Sequence, residues 1–515
     1  MLSDTRPTVS ETLRQLRDGL RVFGLFSHPI TLARILLSGL PAQGMTISAA
    51  ISATAHAWGD RVALIDDRGA ITYAELGRAT TQLAAALDHH DLAGPGRRVA
   101  IACDDDRDLL IAAAALGLTG AAVAQISPRM GHTAFDSWIT EAGVELLLHS
   151  RTADDLATRF PGRTVAATTF GELIAATPRG HAAPSRARES RSIMVTSGTT
   201  GTPKGIAIQR RPTQALVALG LAGATQVRAG SPTLAWPPLY HGYGFAAAAL
   251  CLVAGSPMVT SSALPRLSLA EGAGEVALAA IRRYGVEVVF GAPAQLRALA
   301  AALHEDTGVA PRLRAVMSGS DALDADTIVS LTETLGPVLV SYYGSTEAGT
   351  FTMADGSMLA DDAASVGRPL VASRVQVVAD DGAPVPIGQP GRVRVRTPMA
   401  SQADGPGTRW LTMSDLGRMD RRGRLSILGR VGPVARLGGE FIHPEQVRHV
   451  LLAQPGVADA IVEVVPDKLY GRRVTASVRL TPGTHADLES WRAAVRAALG
   501  PAAVPREISV STAPQ

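Results

Sequence analysis

Short β-branched runs alternate with Ala- and Leu-rich helical stretches from about residue 46 to about residue 365. A parallel strand is covered by helices on both faces of its sheet, so it has the form of a short, continuous apolar run. The alternation therefore predicts parallel sheets with helices on both faces. The predicted strands cover residues 98–103, 121–126, 192–196, 286–290, 313–318 and 338–342.

The pattern changes near residue 365, where a strict alternation of Arg and Val over 392–396 and frequent turns predict a small antiparallel β unit. The last 85 or so residues form a third pattern. They contain a predicted helix over 445–453, a strand over 475–480 and a helix over 486–499. This tail is typical of a separate small α+β domain.

These patterns give the predicted fold class. We expect a large N-terminal α/β domain over residues 46–429, with two parallel-type sheets, helices and a small β subdomain. A small α+β C-terminal domain follows over residues 430–515, and residues 1–45 form an N-terminal extension.

The extension contains a predicted basic amphipathic helix within residues 8–40. Its apolar stripe consists of Leu13, Leu16, Leu20 and Phe23. Beside the stripe lie three arginines, Arg14, Arg17 and Arg21. Such a helix can rest on an anionic membrane surface. The more ordinary alternative is a helix that packs on the domain, or a segment that is partly disordered.

Composition limits the binding partners and the cellular compartment that we expect for this chain. The net charge is only +3 and the acidic residues are scattered among the basic ones, so nucleic acid is not an expected partner. Two cysteines, Cys103 and Cys251, cannot form a disulfide framework or a four-ligand zinc site, which favours a reducing cytoplasm. Residues 1–7 have no apolar signal core. The uncharged runs 109–126 and 242–259 are predicted as buried elements rather than membrane spans, because turn residues interrupt them.

A Ser/Thr/Gly-rich loop after the predicted strand 192–196 is the strongest motif. Hydroxyls and the backbone N–H groups of glycine can surround a polyphosphate, and a lysine supplies the opposite charge. A surface turn does not require a lysine, and only two of the 49 basic residues are lysines. The motif is not a Walker A loop, because Pro203 stands where that loop needs glycine. The predicted phosphate contacts are Thr196, Ser197, Gly198, Thr199, Thr200, Gly201 and Lys204.

A second motif, Tyr-Tyr-Gly-Ser-Thr-Glu, covers residues 342–347. An aromatic ring can stack on adenine, and Gly344 lets the backbone approach a ligand closely. A hydroxyl beside a carboxylate can hold Mg²⁺ against phosphate oxygens. The alternative is an ordinary helix cap of the Ser/Thr-Glu form.

Together these motifs resemble those of the adenylate-forming superfamily, from about residue 46 to the end of the chain. In detail the chain is most similar to the bacterial fatty-acyl-CoA ligases. The resemblance implies an ATP-dependent acid:thiol ligase that activates a carboxylic acid, a fatty acid in the first instance, as acyl-AMP. It further implies transfer of the acyl group to coenzyme A, with ATP, Mg²⁺ and coenzyme A as cofactors.

The resemblance also assigns roles to residues. Lys204, Thr196, His241 and Glu347 take the positions of catalytic residues, with Thr346 and Glu347 on the metal. The segment 237–245 resembles the acyl pocket, in which His241 borders the carboxylate; a buried core histidine is the alternative. Residues 290–293 resemble another pocket wall. The nucleotide contacts implied in this way are Gly319, Ser320, Tyr343, Gly344, Thr346, Asp415 and Arg430.

Departures from the family pattern cluster near the C-terminus. Gly438 and Gly439 resemble the loop that faces the thiol acceptor, but Gly432-Pro433 replaces the usual hinge after Arg430. The given sequence stops at Gln515, just where the family has the segment that carries its adenylation lysine, and no lysine follows Lys468. The C-terminal domain, residues 430–515, is therefore expected to be truncated before the catalytic-lysine motif. These departures favour the alternative of a degenerate member that binds nucleotide or acyl-adenylate with little adenylation activity. A third possibility is transfer of an acyl-adenylate made elsewhere.

Overall fold

The computed structural model describes residues 3–22, 46–104, 106–187, 189–196, 204–208, 214–260, 272–306, 308, 310–400, 409–430, 435–437, 440–467, 471–481 and 484–511. The strands are β1 (Asp4–Thr5), β2 (Val62–Asp66), β3 (Gly69–Thr72), β4 (Arg98–Ala102), β5 (Ala122–Gln125), β6 (Leu146–His149), β7 (Arg163–Ala166), β8 (Arg191–Thr196), β9 (Lys204–Ile208), β10 (Thr233–Ala235), β11 (Met258–Val259), β12 (Val288–Gly291), β13 (Ala315–Ser318), β14 (Leu339–Ser345), β15 (Gly349–Asp355), β16 (Ser365–Pro369), β17 (Arg374–Val378), β18 (Gly391–Arg396), β19 (Leu411–Met419), β20 (Leu425–Arg430), β21 (Ala435–Leu437), β22 (Glu440–Ile442), β23 (Val457–Asp467), β24 (Gly471–Leu480) and β25 (Glu507–Ser511).

The helices are α1 (Val9–Val22), α2 (Ile47–Ala57), α3 (Tyr73–His89), α4 (Asp106–Thr119), α5 (His132–Ala142), α6 (Asp154–Arg159), α7 (Phe170–Ala175), α8 (Gln214–Thr225), α9 (Gly242–Ala254), α10 (Ala273–Tyr284), α11 (Pro293–Glu305), α12 (Ala325–Leu335), α13 (Gly356–Asp361), α14 (Pro444–Leu452) and α15 (Leu488–Leu499).

The first sheet has six strands in the order β7-β6-β4-β5-β8-β9. Every pair in it is parallel except β8 and β9. The predicted strands 98–103, 121–126 and 192–196 are confirmed here as β4, β5 and β8. The uncharged run 109–126 forms α4 and β5, and α4 is buried from Leu109 to Thr119. Its alanines allow that helix to pack closely against its neighbours, because a small side chain lets backbones approach.

The second sheet has fourteen strands and joins two parts that the sequence predicts separately. Strands β2, β11, β10, β12, β13 and β14 run parallel and form the second parallel-type sheet. Strands β15 to β20 are antiparallel, as the alternation at 392–396 predicts. Strand β16 hydrogen-bonds to both β15 and β20, so the β subdomain continues the parallel sheet.

The N-terminal segment lies against the domain. Strand β1 pairs with the edge strand β17, and α1 packs on α8. Glu11 pairs with Arg368, and Gln15 bonds the backbone of Pro369 and Val371. Of the predicted apolar stripe, Leu13 is 63% exposed, whereas Leu16 and Leu20 are partly buried. Of the two interpretations, the structure therefore shows the helix that packs on the domain. Membrane contact through residues 8–40 stays a prediction.

The C-terminal part is a three-stranded sheet, β23-β24-β25, covered by α14 and α15. Trp491, Val447 and Leu451 are fully buried in its core. The helices and the strand predicted in this tail are confirmed as α14, α15 and β24. Helix α15 also contacts α5 in the large domain, where Gly131 lies against the backbone of Leu499.

Within the part of the chain that the structure describes, no helix combines the length and the apolar character that crossing a bilayer requires.

Candidate active site

The carboxyl ends of neighbouring parallel strands form one edge of the large sheet. Ala235 at the end of β10 is opposite Phe290 of β12, and Gly291 is opposite Ser318 of β13. Ser318 is in turn opposite Ser341 of β14. The segments 237–245, 290–293 and 318–321 lie at these strand ends or directly after them. The ligand site of an open α/β sheet lies at this edge, so the register brings the predicted acid and adenine segments together.

His241 lies at the start of α9, directly before its first residue. Its backbone is extended and its ring packs at a tilt against Tyr240, with ring centroids 4.7 Å apart. The side chain is partly buried, so it is not the fully enclosed core histidine of the alternative interpretation. A histidine here can face an anionic group near the amino end of α9.

Tyr343 and Asp415 meet although they belong to different parts of the sheet. The Tyr343 hydroxyl donates to Asp415 Oδ2 at 2.7 Å. The Tyr343 ring packs edge-on against Phe351, with centroids 5.0 Å apart. Asp415 is also opposite Arg430 in the register of β19 and β20. Three residues predicted to hold adenine and ribose are therefore neighbours in the fold, although the Arg430 side chain is outside the described residues.

Backbone geometry explains why small residues occur beside this site. A Cβ at Gly344 would overlap the carbonyl oxygen of Gly349, at the irregularity between β14 and β15. A Cβ at Gly319 would overlap the Tyr342 ring. Ser320 has φ of 78°, a left-handed conformation that costs a non-glycine residue of order 1 kcal/mol or more. No motif in the sequence indicates this strained position.

Thr346 and Glu347 lie in the tight turn between the antiparallel strands β14 and β15. The helix-cap alternative for these two residues is therefore wrong, because no helix begins there. Thr346 is partly buried and Glu347 is exposed. Mg²⁺ is commonly held by one or two protein oxygens together with substrate phosphates and water. This hydroxyl and carboxylate fit that ligand set.

The predicted phosphate loop connects β8 to β9, which form an antiparallel hairpin. Thr196 is directly opposite Lys204, so the two backbones stand at the base of the loop. A Walker A loop leads into a helix, whereas this loop leads into a strand, which agrees with the sequence argument. Ser197, Gly198, Thr199, Thr200 and Gly201 lie outside the described residues, as do Gly438, Gly439 and the side chains of Thr196 and Lys204.

A polar groove of about 470 Å³ lies elsewhere, on β16, β19 and β20. Two of the arginines that line it are paired with carboxylates. Arg418 pairs with Asp362, and Arg424 pairs with Asp361 and Asp420. Guanidinium groups that are already paired with carboxylates do not form a ready anion site, and ion pairs this exposed contribute little to stability. None of the predicted site residues lines the groove.

Sequence comparison finds matches along most of the chain. Residues 51–403 match the family described as AMP-binding enzyme, and residues 446–514 match the AMP-binding enzyme C-terminal domain. The chain is 28% identical over 450 residues to a feruloyl-CoA synthase of an Amycolatopsis species, covering 85% of this chain and 89% of the relative. It is 30% identical over 431 residues to 4-chlorobenzoate–CoA ligase of Pseudomonas sp. (strain CBS-3), covering 78% of each chain.

Comparison with solved structures also finds a match along most of the chain. The amide bond synthetase McbA from Marinactinospora thermotolerans superposes with a TM-score of 0.77 and 27% identity. The superposition covers 91% of this chain and 96% of that one.

Proposed function

The chain belongs to the AMP-binding enzyme family, and on this premise we propose that it is an ATP-dependent acid:thiol ligase of the AMP-forming type. A carboxylate oxygen of the acid attacks the α-phosphorus of ATP, and pyrophosphate leaves. The thiolate sulfur of coenzyme A then attacks the acyl carbonyl carbon, and AMP leaves. ATP, Mg²⁺ and coenzyme A are the cofactors that this reaction requires.

The observation that carries the proposal is the hydrogen bond between Tyr343 and Asp415. It places an aromatic face suited to adenine next to a carboxylate that can accept from both ribose hydroxyls. Arg430 follows in register on the adjacent strand. An adenosine-binding arrangement of this kind supports a nucleotide substrate.

The remaining site residues take these proposed roles. Lys204, at the base of the β8–β9 hairpin opposite Thr196, stabilises negative charge on the phosphates. Thr346 and Glu347 hold Mg²⁺, which neutralises phosphate oxygens when it is bound. His241 borders the acid carboxylate. Gly319 and Ser320 stand beside the adenine, and the loop of Gly438 and Gly439 faces the thiol.

The identity of the carboxylic acid is the more specific part of the proposal. The sequence predicts a fatty acid, whereas the names of the two curated relatives refer to feruloyl and 4-chlorobenzoyl groups. The fatty acid, the feruloyl group and the 4-chlorobenzoyl group are each a carboxylic acid or the acyl group of one. The alternative of a degenerate nucleotide-binding member has no support among these relatives.

We also propose that the boundary near residue 430 separates the nucleotide-binding domain, 46–429, from the C-terminal domain. It falls at the end of β20, after which the large sheet takes no further strand among the described residues. The C-terminal sheet and its two helices have a core of their own.

The test supplies the purified chain with ATP, Mg²⁺ and single carboxylic acids, and it follows pyrophosphate and acyl-CoA separately. We expect pyrophosphate release that depends on the acid, and thioester that depends on coenzyme A. A parallel reaction with a primary amine in place of coenzyme A checks the acceptor, because McbA is named an amide bond synthetase. Absence of acid-dependent pyrophosphate with every acid would overturn the proposal.

A further inference from the structure

Strand β16 is the junction between the two parts of the large sheet. Among the described residues it pairs with β15 at two positions, Pro369 with Thr352 and Arg368 with Met353. Its register with β20, on the other side, contains an irregularity. Short and irregular ladders supply few backbone hydrogen bonds, so other parts of the chain must help to hold this junction in place.

The proposed nucleotide site spans this junction. Tyr343 of β14 is opposite Thr352 of β15, and Thr352 is opposite Pro369 of β16. Asp415 lies on β19, which pairs with β20 and through β20 with β16. The hydrogen bond of 2.7 Å from Tyr343 to Asp415 therefore depends on how β16 holds the two parts of the sheet relative to each other.

Helix α1 holds β16 at the same two residues that pair with β15. Glu11 forms an ion pair with Arg368. Gln15 Nε2 donates to the carbonyl oxygen of Pro369 at 3.4 Å, and Gln15 Oε1 accepts from the N–H of Val371 at 2.7 Å. The amide of Gln15 thus bonds two backbone groups at the end of β16 and fixes the position of that end relative to α1.

Leu370 connects this contact to the nucleotide site. It lies between the two residues that Gln15 bonds, and its N–H donates to the carbonyl oxygen of Phe351 at 2.8 Å. The Phe351 ring is fully buried and packs edge-on against the Tyr343 ring, with centroids 5.0 Å apart. Interiors are close-packed, so a shift of residues 369–371 moves the surface on which Tyr343 rests.

The opposite side of α1 is fixed to the parallel part of the domain. A Cβ at Gly19 would overlap the backbone of Leu219 on α8, and a Cβ at Gly220 would lie 3.0 Å from Gln15 Oε1. Val22, the last residue of α1, is buried in the main core. Helix α8 packs in turn on β13. These contacts make α1 a rigid support for the end of β16.

We propose that α1 is a positioning element of the nucleotide site and that Gln15 is the positioning residue through which it acts. The proposal rests on the proposed ligase function and adds a part of the chain that precedes the matched family segment, which begins at residue 51. By holding β16, α1 keeps Tyr343 and Asp415 at hydrogen-bonding distance before a nucleotide arrives. Such preorganisation lowers the ordering cost of binding.

The first experiment measures nucleotide binding by the full chain. Calorimetry gives the Kd for AMP of the unmodified chain, of Gln15→Met and of Arg14→Met. Methionine at position 15 keeps the length of the side chain and favours a helix, but it forms neither hydrogen bond. Arg14→Met places the same side chain on the exposed face of α1 and is the matched control. We expect Gln15→Met to raise the Kd about fivefold, and the control to leave it unchanged.

Steady-state kinetics separate positioning from stability. In acid-dependent pyrophosphate release, Gln15→Met should raise the KM for ATP about fivefold and leave kcat and the KM for the acid unchanged. A contribution of Gln15 to stability alone would lower the thermal unfolding midpoint and leave the KM for ATP as it is in the unmodified chain. That result would overturn the positioning role.

A double-mutant cycle tests the route through Tyr343. Tyr343→Phe removes the hydrogen bond to Asp415 and keeps the ring. Since Gln15 is proposed to act by positioning this bond, Gln15→Met should add little to the Kd for AMP of Tyr343→Phe. Two effects that multiply in the double variant would overturn the route from Gln15 to Tyr343.

The outcomes distinguish this proposal from the ligase function. An unchanged Kd for AMP in folded Gln15→Met would overturn the positioning role and leave the ligase function standing. An unmodified chain that binds no AMP and releases no acid-dependent pyrophosphate would remove both. If Gln15→Met does not fold, Glu11→Gln decides the point, because it removes the charge that holds Arg368. Its Kd for AMP should rise, and an unchanged value would overturn the positioning role.

Discussion

The Tyr343 hydroxyl and Asp415 Oδ2 are joined by a hydrogen bond of 2.7 Å across 72 residues of sequence. Tyr343 belongs to β14, the last parallel strand, and Asp415 belongs to β19 in the antiparallel β subdomain. The bond therefore connects the two parts of the large sheet at the proposed nucleotide site. It fixes the carboxylate before a ribose arrives, which lowers the ordering cost of binding.

Tyr343→Phe removes this hydrogen bond but keeps the ring. We expect the KM for ATP to rise about fivefold, because a hydrogen bond to a charged group contributes on the order of 1 kcal/mol or more. Steady-state pyrophosphate release at varied ATP measures the change, with Tyr284→Phe as the control. An unchanged KM would mean that Asp415 is oriented by other contacts.

Glu347→Gln keeps the shape of the side chain and removes its charge. We expect the Mg²⁺ concentration for half-maximal activity to rise roughly tenfold, because a carboxylate is the preferred hard ligand. The free energy of unfolding should stay the same, since Glu347 is exposed in a turn. The matched control is Glu333→Gln, at an exposed position on α12. Identical Mg²⁺ titrations of the two variants would assign Glu347 a structural role.

Lys204→Ala removes the positive charge at the base of the β8–β9 hairpin. We expect acid-dependent pyrophosphate release to fall by roughly a hundredfold or more, because loss of one preorganised donor to developing charge has an effect of this order. Lys204→Arg retains the charge and should recover part of the rate. Full activity in Lys204→Ala would refute the phosphate-loop assignment.

Gly19→Ala tests the packing of α1 on α8. Alanine favours a helix, but a Cβ at Gly19 would overlap the Leu219 carbonyl oxygen. We expect the free energy of unfolding to fall by about 2 kcal/mol, and trypsin to cut α1 faster at its arginines. Gly171→Ala is the control, because no atom lies within 4 Å of its Cβ position. A gain of stability in Gly19→Ala would contradict the close crossing.

Glu11 makes the attachment of α1 depend on pH. Burial opposes its ionisation, but hydrogen bonds from Thr8 and the pairing with Arg368 hold the pKa of Glu11 below its ordinary value. A lowered pKa in the folded state adds stability above the unfolded-state pKa of about 4.3, and this stability is lost as pH falls through the folded pKa. The protection of α1 against hydrogen exchange, relative to the intrinsic exchange rate at each pH, should therefore fall as the pH is lowered from 6 to about 3.

Glu11→Gln removes this dependence. We expect the protection of α1 in the variant, corrected for the intrinsic exchange rate, to be similar at pH 6 and at about pH 3. At pH 6 its exchange should be faster than in the unmodified chain. A variant that keeps the full pH dependence would assign the effect to another group, such as Asp4.

Local patterns predicted much of the fold because they reflect interactions within one element. The apolar runs at 98–103 and 313–318 are confirmed as β4 and β13, since buried parallel strands must be apolar on both faces. The helix within 8–40 was predicted, but its contacts were not. Leu13 is exposed, while Gln15 and Gly19 contact the domain, because the shape and hydrogen-bonding groups of the surface that α1 packs against decide which residues are covered.

The sequence by itself determined the α/β class, the phosphate-type loop ending at Lys204, and the identity of Tyr343 and Asp415 as candidates. The α/β class follows from periodicity and the loop from its motif of neighbouring residues, whereas Tyr343 and Asp415 are candidates through the resemblance to the adenylate-forming superfamily. Only the tertiary structure decided that Tyr343 donates to Asp415, and that the rings of Tyr243 and Tyr342 pack together. Such pairs depend on strand order and register, which long-range packing sets and which no local stretch of sequence encodes.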